Sequence, residues 1–133
     1  IQEAKAYCDQ NGISYTEATV TNTSEVQQSA LQLLSKADAI YVPIDNTVAS
    51  AMATLGSLCV ESKKPCYVSA DSMVLDGGLA SVGVNYDDLG SQTGDMAADI
   101  LEGAAVSDVP VRTLEQFNEV VNDEVAAALG IQK

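Results

Sequence analysis

Histidine is missing from this 133-residue chain and basic residues are scarce: six Lys and Arg stand against nineteen Asp and Glu, a net charge of −13. Without His, the commonest general base and the commonest transition-metal ligand are both gone. A chain this acidic is repelled by phosphate backbones and by anionic membrane surfaces, so nucleic acid is not an expected partner. The charge also favours solubility. Cys8, Cys59 and Cys66 are odd in number and lack CxxC spacing, so neither a zinc site nor a disulfide framework is expected. Each falls on an apolar helix face or in an apolar strand, where a thiol is buried and inert. No apolar run reaches the length of a membrane span, and no signal-peptide pattern appears. Nor do GxSxG, a Walker loop or HExxH occur. The segment Ile1 to Lys5 reads as helix at once, with no Met and no capping residue ahead of it. The chain is therefore expected to be a piece of something longer.

What is present is globular: 47% of residues are apolar and 19% charged, at a length suited to a single domain. Ile1, Ala4 and Cys8 make a helix face that stops at Asn11-Gly12. Ile13 to Val20 alternates loosely, is rich in β-branched residues and reads as a strand. Thr23 or Ser24 would cap a helix whose stripe is Val26, Ala30, Leu33 and Leu34. Ala39 to Val42 is a continuous apolar run, as expected of a strand inside a parallel sheet. Pro43 closes it, and Asp45-Asn46-Thr47 offers three caps for a helix running to about Lys63. Lys63-Lys64-Pro65 breaks that helix, with its cations near the helix C-terminus. Cys66 to Val68 is a further strand, followed by Asp71-Ser72 and a short helix or turn to Gly77-Gly78. Leu79 to Val84 reads as strand, and Thr93 to Leu101 lies in a long helix ending at Gly103. Beyond it come an extended Pro110 to Thr113, a strand at Phe117 to Val121 and a helix from Asp123 to Leu129, stopped by Gly130. Strands alternating with helices over short loops predict an α/β domain, a mostly parallel sheet with helices on both faces.

In open parallel sheets, ligands bind beyond the carboxyl ends of the strands. Two strand ends carry suitable side chains: Asp45, Asn46 and Thr47 after one, and Ser69, Asp71 and Ser72 after the next. The carboxylates would accept from an ammonium or hydroxyl group, and Asn46, Thr47 and Ser72 would add amide and hydroxyl contacts. A helix starting near Thr47 would offer free N–H groups to a carboxylate, so a zwitterion fits the set. The same residue types are also the favoured N-caps, and one side chain can serve both roles. Gly77-Gly78 lacks GxGxxG spacing and reads as a turn, not a phosphate loop. Asp87-Asp88 reads as a cap for the long helix, with no nucleophile or base beside it. No catalytic, metal or cofactor set is indicated.

The stretch Asp38 to Ala51, DAIYVPIDNTVASA, resembles the signature of ABC-transporter substrate-binding proteins of the tryptophan/tyrosine type. Lys64 to Asp71 and Gly78 to Gly90 are similar to the same family, which often has Asp where Asn85 stands. Gly94, Ile100 to Gly103, Pro110-Val111 and Asn122 to Ile131 extend the resemblance over nearly the whole chain. It implies the periplasmic-binding fold, with two α/β lobes clamping a ligand such as an aromatic amino acid. It also implies delivery to an ABC permease outside the cytoplasm, by a lipoprotein or periplasmic protein that catalyses nothing and needs no cofactor. Residues 1–133 would be a single α/β domain, mainly the second lobe, without that lobe's first strand or the first lobe. The segment from Leu79 to Gly103 normally crosses to the other lobe. Here it would pair with this sheet, swap with a second copy in a homodimer, or stay poorly supported. By position, Asp45, Asn46 and Thr47 would contact the ligand, Asp45 at its ammonium, with Asp71 and Ser72 in second rank. The competing reading is the effector-binding domain of a transcription regulator, which has the same fold. A phosphoacceptor or enzyme-like domain is disfavoured by the missing His and the lack of an acidic cluster with a Lys beyond a later strand.

Overall fold

Three short apolar runs between loop-forming residues become three parallel neighbours: β1 (Ile40–Val42), β2 (Cys66–Ala70) and β3 (Ala80–Val84). A fourth strand, β4 (Asn118–Val121), runs antiparallel against β3, giving the sheet order β1-β2-β3-β4. The computed structural model describes residues 1–114 and 117–132. Its helices are α1 (Gln2–Asn11), α2 (Val26–Leu34), α3 (Asn46–Ala49), α4 (Met52–Glu61), α5 (Asp71–Leu75), α6 (Tyr86–Leu101) and α7 (Asp123–Leu129). The α/β class and the mostly parallel sheet are as the alternation predicts.

The core lies on one face of the sheet. Val26, Ala30 and Leu34 of α2, Met52, Leu55 and Cys59 of α4, and Met73 and Val74 of α5 bury against Ile40, Val42, Cys66, Val68 and Ala70. The opposite face has far less cover. Tyr41 and Tyr67, paired across β1 and β2, are 55% and 44% exposed, and Val82 beside them is 69% exposed. Helices α1 and α6 bury no residue, although each carries an apolar stripe.

Lysines close the helix ends on the core side. Lys64 Nζ donates to the carbonyls of Leu34, at 2.7 Å, and Ala37, satisfying groups that the end of α2 leaves orphaned. Lys63 Nζ donates to Ala128 O at 2.8 Å, at the end of α7. Asn122 ties α7 and α5 to the residue before β3: its Oδ1 accepts from Val125 N, its Nδ2 donates to Val74 O, and its backbone N–H donates to Leu79 O.

Four local expectations are corrected. Ile13 to Val20 forms no strand; residues 13–19 are exposed, and Lys5–Glu17 at 2.6 Å is the ion pair that ties the segment to α1. A strand is stabilised by its partner, and this segment has none among the described residues. The start of α2 is not capped by Thr23 or Ser24. Instead Thr21 N–H donates to Glu25 Oε2 at 2.8 Å across a short 3₁₀ turn, Thr23–Glu25. That backbone N–H and the Thr21 hydroxyl hold the Glu25 carboxyl below its usual range. The helix expected from Thr47 to Lys63 is split into α3 and α4. Ser50 Oγ donates to Asn46 O at 2.8 Å and competes for the carbonyl at the join, a known way for Ser to interrupt a helix. Finally, the cap of α6 is Asn85, whose Oδ1 accepts from Asp87 N and Asp88 N; the two acids lie in the first turn.

Cys59 and Cys66 are buried as expected, and Cys8 is half-buried; all three are free thiols. The Cys66 thiol is pushed up by its hydrogen bond to Cys59 and by burial, so it stays protonated and unreactive.

Candidate functional site

Because β1, β2 and β3 are parallel, their carboxyl ends share one edge of the sheet. The polar residues that follow them, Asp45 to Thr47, Asp71-Ser72 and Asn85, are thereby brought to that edge from three separate stretches of sequence. Asp45 is exposed with extended backbone, and its Oδ1 accepts from Val48 N at 3.0 Å, capping α3. Its capping role is therefore realised. Replacing it with alanine should lower stability by about 1 kcal/mol, the usual worth of an N-cap, and denaturant unfolding would measure this. Asn46 is exposed and Thr47 half-buried on the same turn. A four-residue helix has too few aligned peptide units for a strong dipole, so the carboxylate-binding N-terminus expected near Thr47 is reduced to a cap turn.

At the second strand end, capping does not describe Asp71. The N-cap position of α5 is Ala70, which makes no side-chain cap bond, and Asp71 is the first helical residue. Asp71 is half-buried, and its Oδ1 is shielded from solvent without a hydrogen-bond partner among the described residues. Ser72 beside it is exposed.

At this edge Ser69, named from sequence among the polar strand-end residues, meets Tyr41, which was not. Ser69 Oγ lies 2.9 Å from Val42 O and 3.1 Å from the Tyr41 hydroxyl. A hydroxyl has one proton, so Ser69 donates to the carbonyl and accepts from Tyr41. The pair ties β1 to β2 just before both strands release their polar ends. β1 is buried-exposed-buried, so Tyr41 faces outward, which the continuous apolar run Ala39 to Val42 does not signal.

The charges are sorted along the strands. Lys36 precedes β1, and Lys63 and Lys64 precede β2, which places them towards the amino ends. Asp45 and Asp71 follow those strands, and Asp87 and Asp88 follow β3. Of the other basic residues among those described, Lys5 is paired with Glu17 and Arg112 lies 3.9 Å from Asp99. The carboxyl edge is thus anionic and suits a cationic group. A separate groove of 640 Å³ between α4 and α7 is lined by Gly56, Asp76 and Glu124 among others; none of the six polar strand-end residues singled out from sequence lines it. Among the described residues no cluster of metal-ligating side chains occurs, and no helix is long and apolar enough to cross a membrane.

The chain's relatives share this architecture. The sequence profile described as ABC transporter substrate binding protein matches residues 1–133. A tyrosine-binding protein of Clostridioides difficile is 35% identical over 127 residues, 96% of this chain and 37% of that protein. A crystal structure of an ABC domain from Streptococcus pneumonia in complex with L-Trp superposes with a TM-score of 0.87 at 43% identity. It is covered over 98% of this chain and 44% of its own. The ligand-free, open structure of a substrate-binding protein with adhesive properties from Clostridium difficile gives a TM-score of 0.77 at 39% identity, over 99% of this chain and 45% of its own. The chain spans less than half the length of each of these relatives.

Proposed function

Since the chain belongs to the ABC transporter substrate-binding protein family, a family of solute-binding proteins and not of enzymes, we propose that it is one wall of a small-molecule clamp. In this reading, residues 1–133 are mainly the second lobe of a two-lobe protein that works outside the cytoplasm and hands its solute to an ABC permease. It performs no chemistry on that solute. The observation that carries the reading is the family match along the entire chain.

An aromatic amino acid is the proposed ligand. The tyrosine-binding relative and the L-Trp complex support that class, and so does a carboxyl edge bearing Asp45 and Asp71 with amide and hydroxyl groups between them. Asp45, Asn46, Thr47, Asp71 and Ser72 are the proposed contacts. Closure around a ligand needs two walls, and half of the contacts would belong to the other lobe.

Two calorimetric titrations test this. The 133-residue chain alone should give no measurable binding to L-tryptophan or L-tyrosine, whereas a two-lobe protein containing it should bind at least one at micromolar concentration or below. Tight binding by the single chain would refute the half-clamp. Binding of neither amino acid by the two-lobe protein would refute the ligand class.

A further inference from the structure

We infer that Asp71, not Asp45, is the residue that receives the ammonium group of the amino-acid ligand. The inference rests on the amino-acid ligand class proposed for this edge and deepens it by dividing the labour between its two acids.

The two carboxylates are in different states. Asp45 is exposed and its Oδ1 is engaged with Val48 N at 3.0 Å. Water competes for whatever acceptor capacity it has left, and screening weakens any charge contact made there. Asp71 is the reverse. Its Oδ1 is out of solvent, is not used as a cap and accepts from no group among the described residues. A carboxylate oxygen withdrawn from water without a donor costs folding free energy, and such a group in a native fold calls for an explanation. The neighbouring groups do not supply one. The Ser69 proton is given to Val42 O, and Tyr41 is directed at Ser69. Lys36, Lys63 and Lys64 stand towards the other end of the strands, and the last two are engaged with carbonyls there. What Asp71 lacks is therefore a cationic donor arriving from beyond the sheet edge. An ammonium satisfies that need with a short charge-assisted hydrogen bond, strong because it forms away from water.

This assignment separates Asp71 from a residue that merely supports the fold. In a two-lobe protein containing this chain, Asp71→Asn should lower affinity for L-tryptophan or L-tyrosine by about tenfold to a hundredfold. Affinity for the matching compound without the amino group, 3-(indol-3-yl)propionate or 3-(4-hydroxyphenyl)propionate, should be unchanged. Asp45→Asn should not discriminate between amine and desamino ligands. Without ligand, Asp71→Asn and Asp71→Ala should melt at or above the parent temperature, because each removes a carboxylate whose Oδ1 is withdrawn from solvent without a donor among the described residues. The inference is overturned if Asp71→Asn weakens both ligand classes equally, as it would if Asp71 met a cation of the other lobe. It is also overturned if amine affinity is untouched, if Asp45→Asn takes the amine-specific loss, or if the Asp71 variants melt lower or fail to fold. Should the parent bind neither amino acid, the ligand class itself falls and this assignment falls with it, a result distinct from the others because it appears before any substitution is made.

Discussion

Gly83→Ala is expected to destabilise the chain by roughly 2–3 kcal/mol, near the upper end for inserting one methyl group into a packed site. A Cβ at Gly83 would stand 2.4 Å from Ser69 O and 2.8 Å from Ser69 C, both of them backbone atoms. A flexible side chain could swing aside; a strand cannot do so without breaking its ladder. The contact lies where the register slips, with Val68 opposite Ser81 but Ala70 opposite Val84, so β3 spends one more residue than β2 over this step. Such a bulge re-aims the chain beyond it. The backbone that a Cβ at Gly83 would displace is that of Ser69, two residues before Asp71. The alanine variant should therefore lose ligand affinity in a two-lobe protein as well as shift its urea midpoint. If the midpoint does not move, the close approach of β2 and β3 at Gly83 is not a real constraint.

Met52→Ala should cost about 3 kcal/mol, within the 2–5 kcal/mol range for emptying a buried large side chain. Met52 is 1% exposed and opens α4, directly after the turn that presents Asp45, Asn46 and Thr47. Its side chain lies in the cluster shared by α2, α4, α5 and the sheet, with Val48, Ala49 and Ala51 packed against that cluster. The cavity would thus open beneath the site turn. Faster amide hydrogen exchange at residues 45–51, beyond the global loss read from denaturation, is the expected signature. Leu58→Ala, at a half-buried position on the same helix, should cost less. Equal losses at the two positions would contradict this account of the core.

Local chemistry was the legible part of the fold. Gly12 and Gly130 end α1 and α7 at positive φ, 67° and 73°, where a side chain is disfavoured, and each comes after an apolar periodic stretch. The runs at Ala39 to Val42 and Cys66 to Val68, observed as β1 and β2, stood out because Pro43 follows the first and Pro65 precedes the second, where a ladder cannot continue. Gly77, at φ 119°, is the turn its sequence suggested. The family resemblance, read from DAIYVPIDNTVASA and the stretches after it, agrees with the profile match over residues 1–133.

The illegible part depends on pairing across distance. Ile13 to Val20 has strand composition, but composition does not supply a neighbour. The Tyr41–Ser69 contact joins residues 28 apart and requires the β1–β2 register, which no local pattern states. The break at Ser50 depends on which carbonyl a hydroxyl selects. Asp71 was the hardest case. From sequence it is one more Asp at a helix start, and only the burial of Oδ1 distinguishes it from Asp45.

The uneven cover of the sheet also bears on how the molecule behaves in bulk solution. Tyr41, Tyr67, Val82 and Val121 leave an apolar band open to water, of the sort that drives particles together on collision. The net charge of −13 opposes this by keeping such particles apart at neutral pH. That repulsion fades towards the isoelectric point near 4.1, where the sticky band is left without its counterweight. Acidity in this chain is then more than a filter on binding partners. It acts as a colloidal stabiliser for a surface that a more neutral sequence would have to hide.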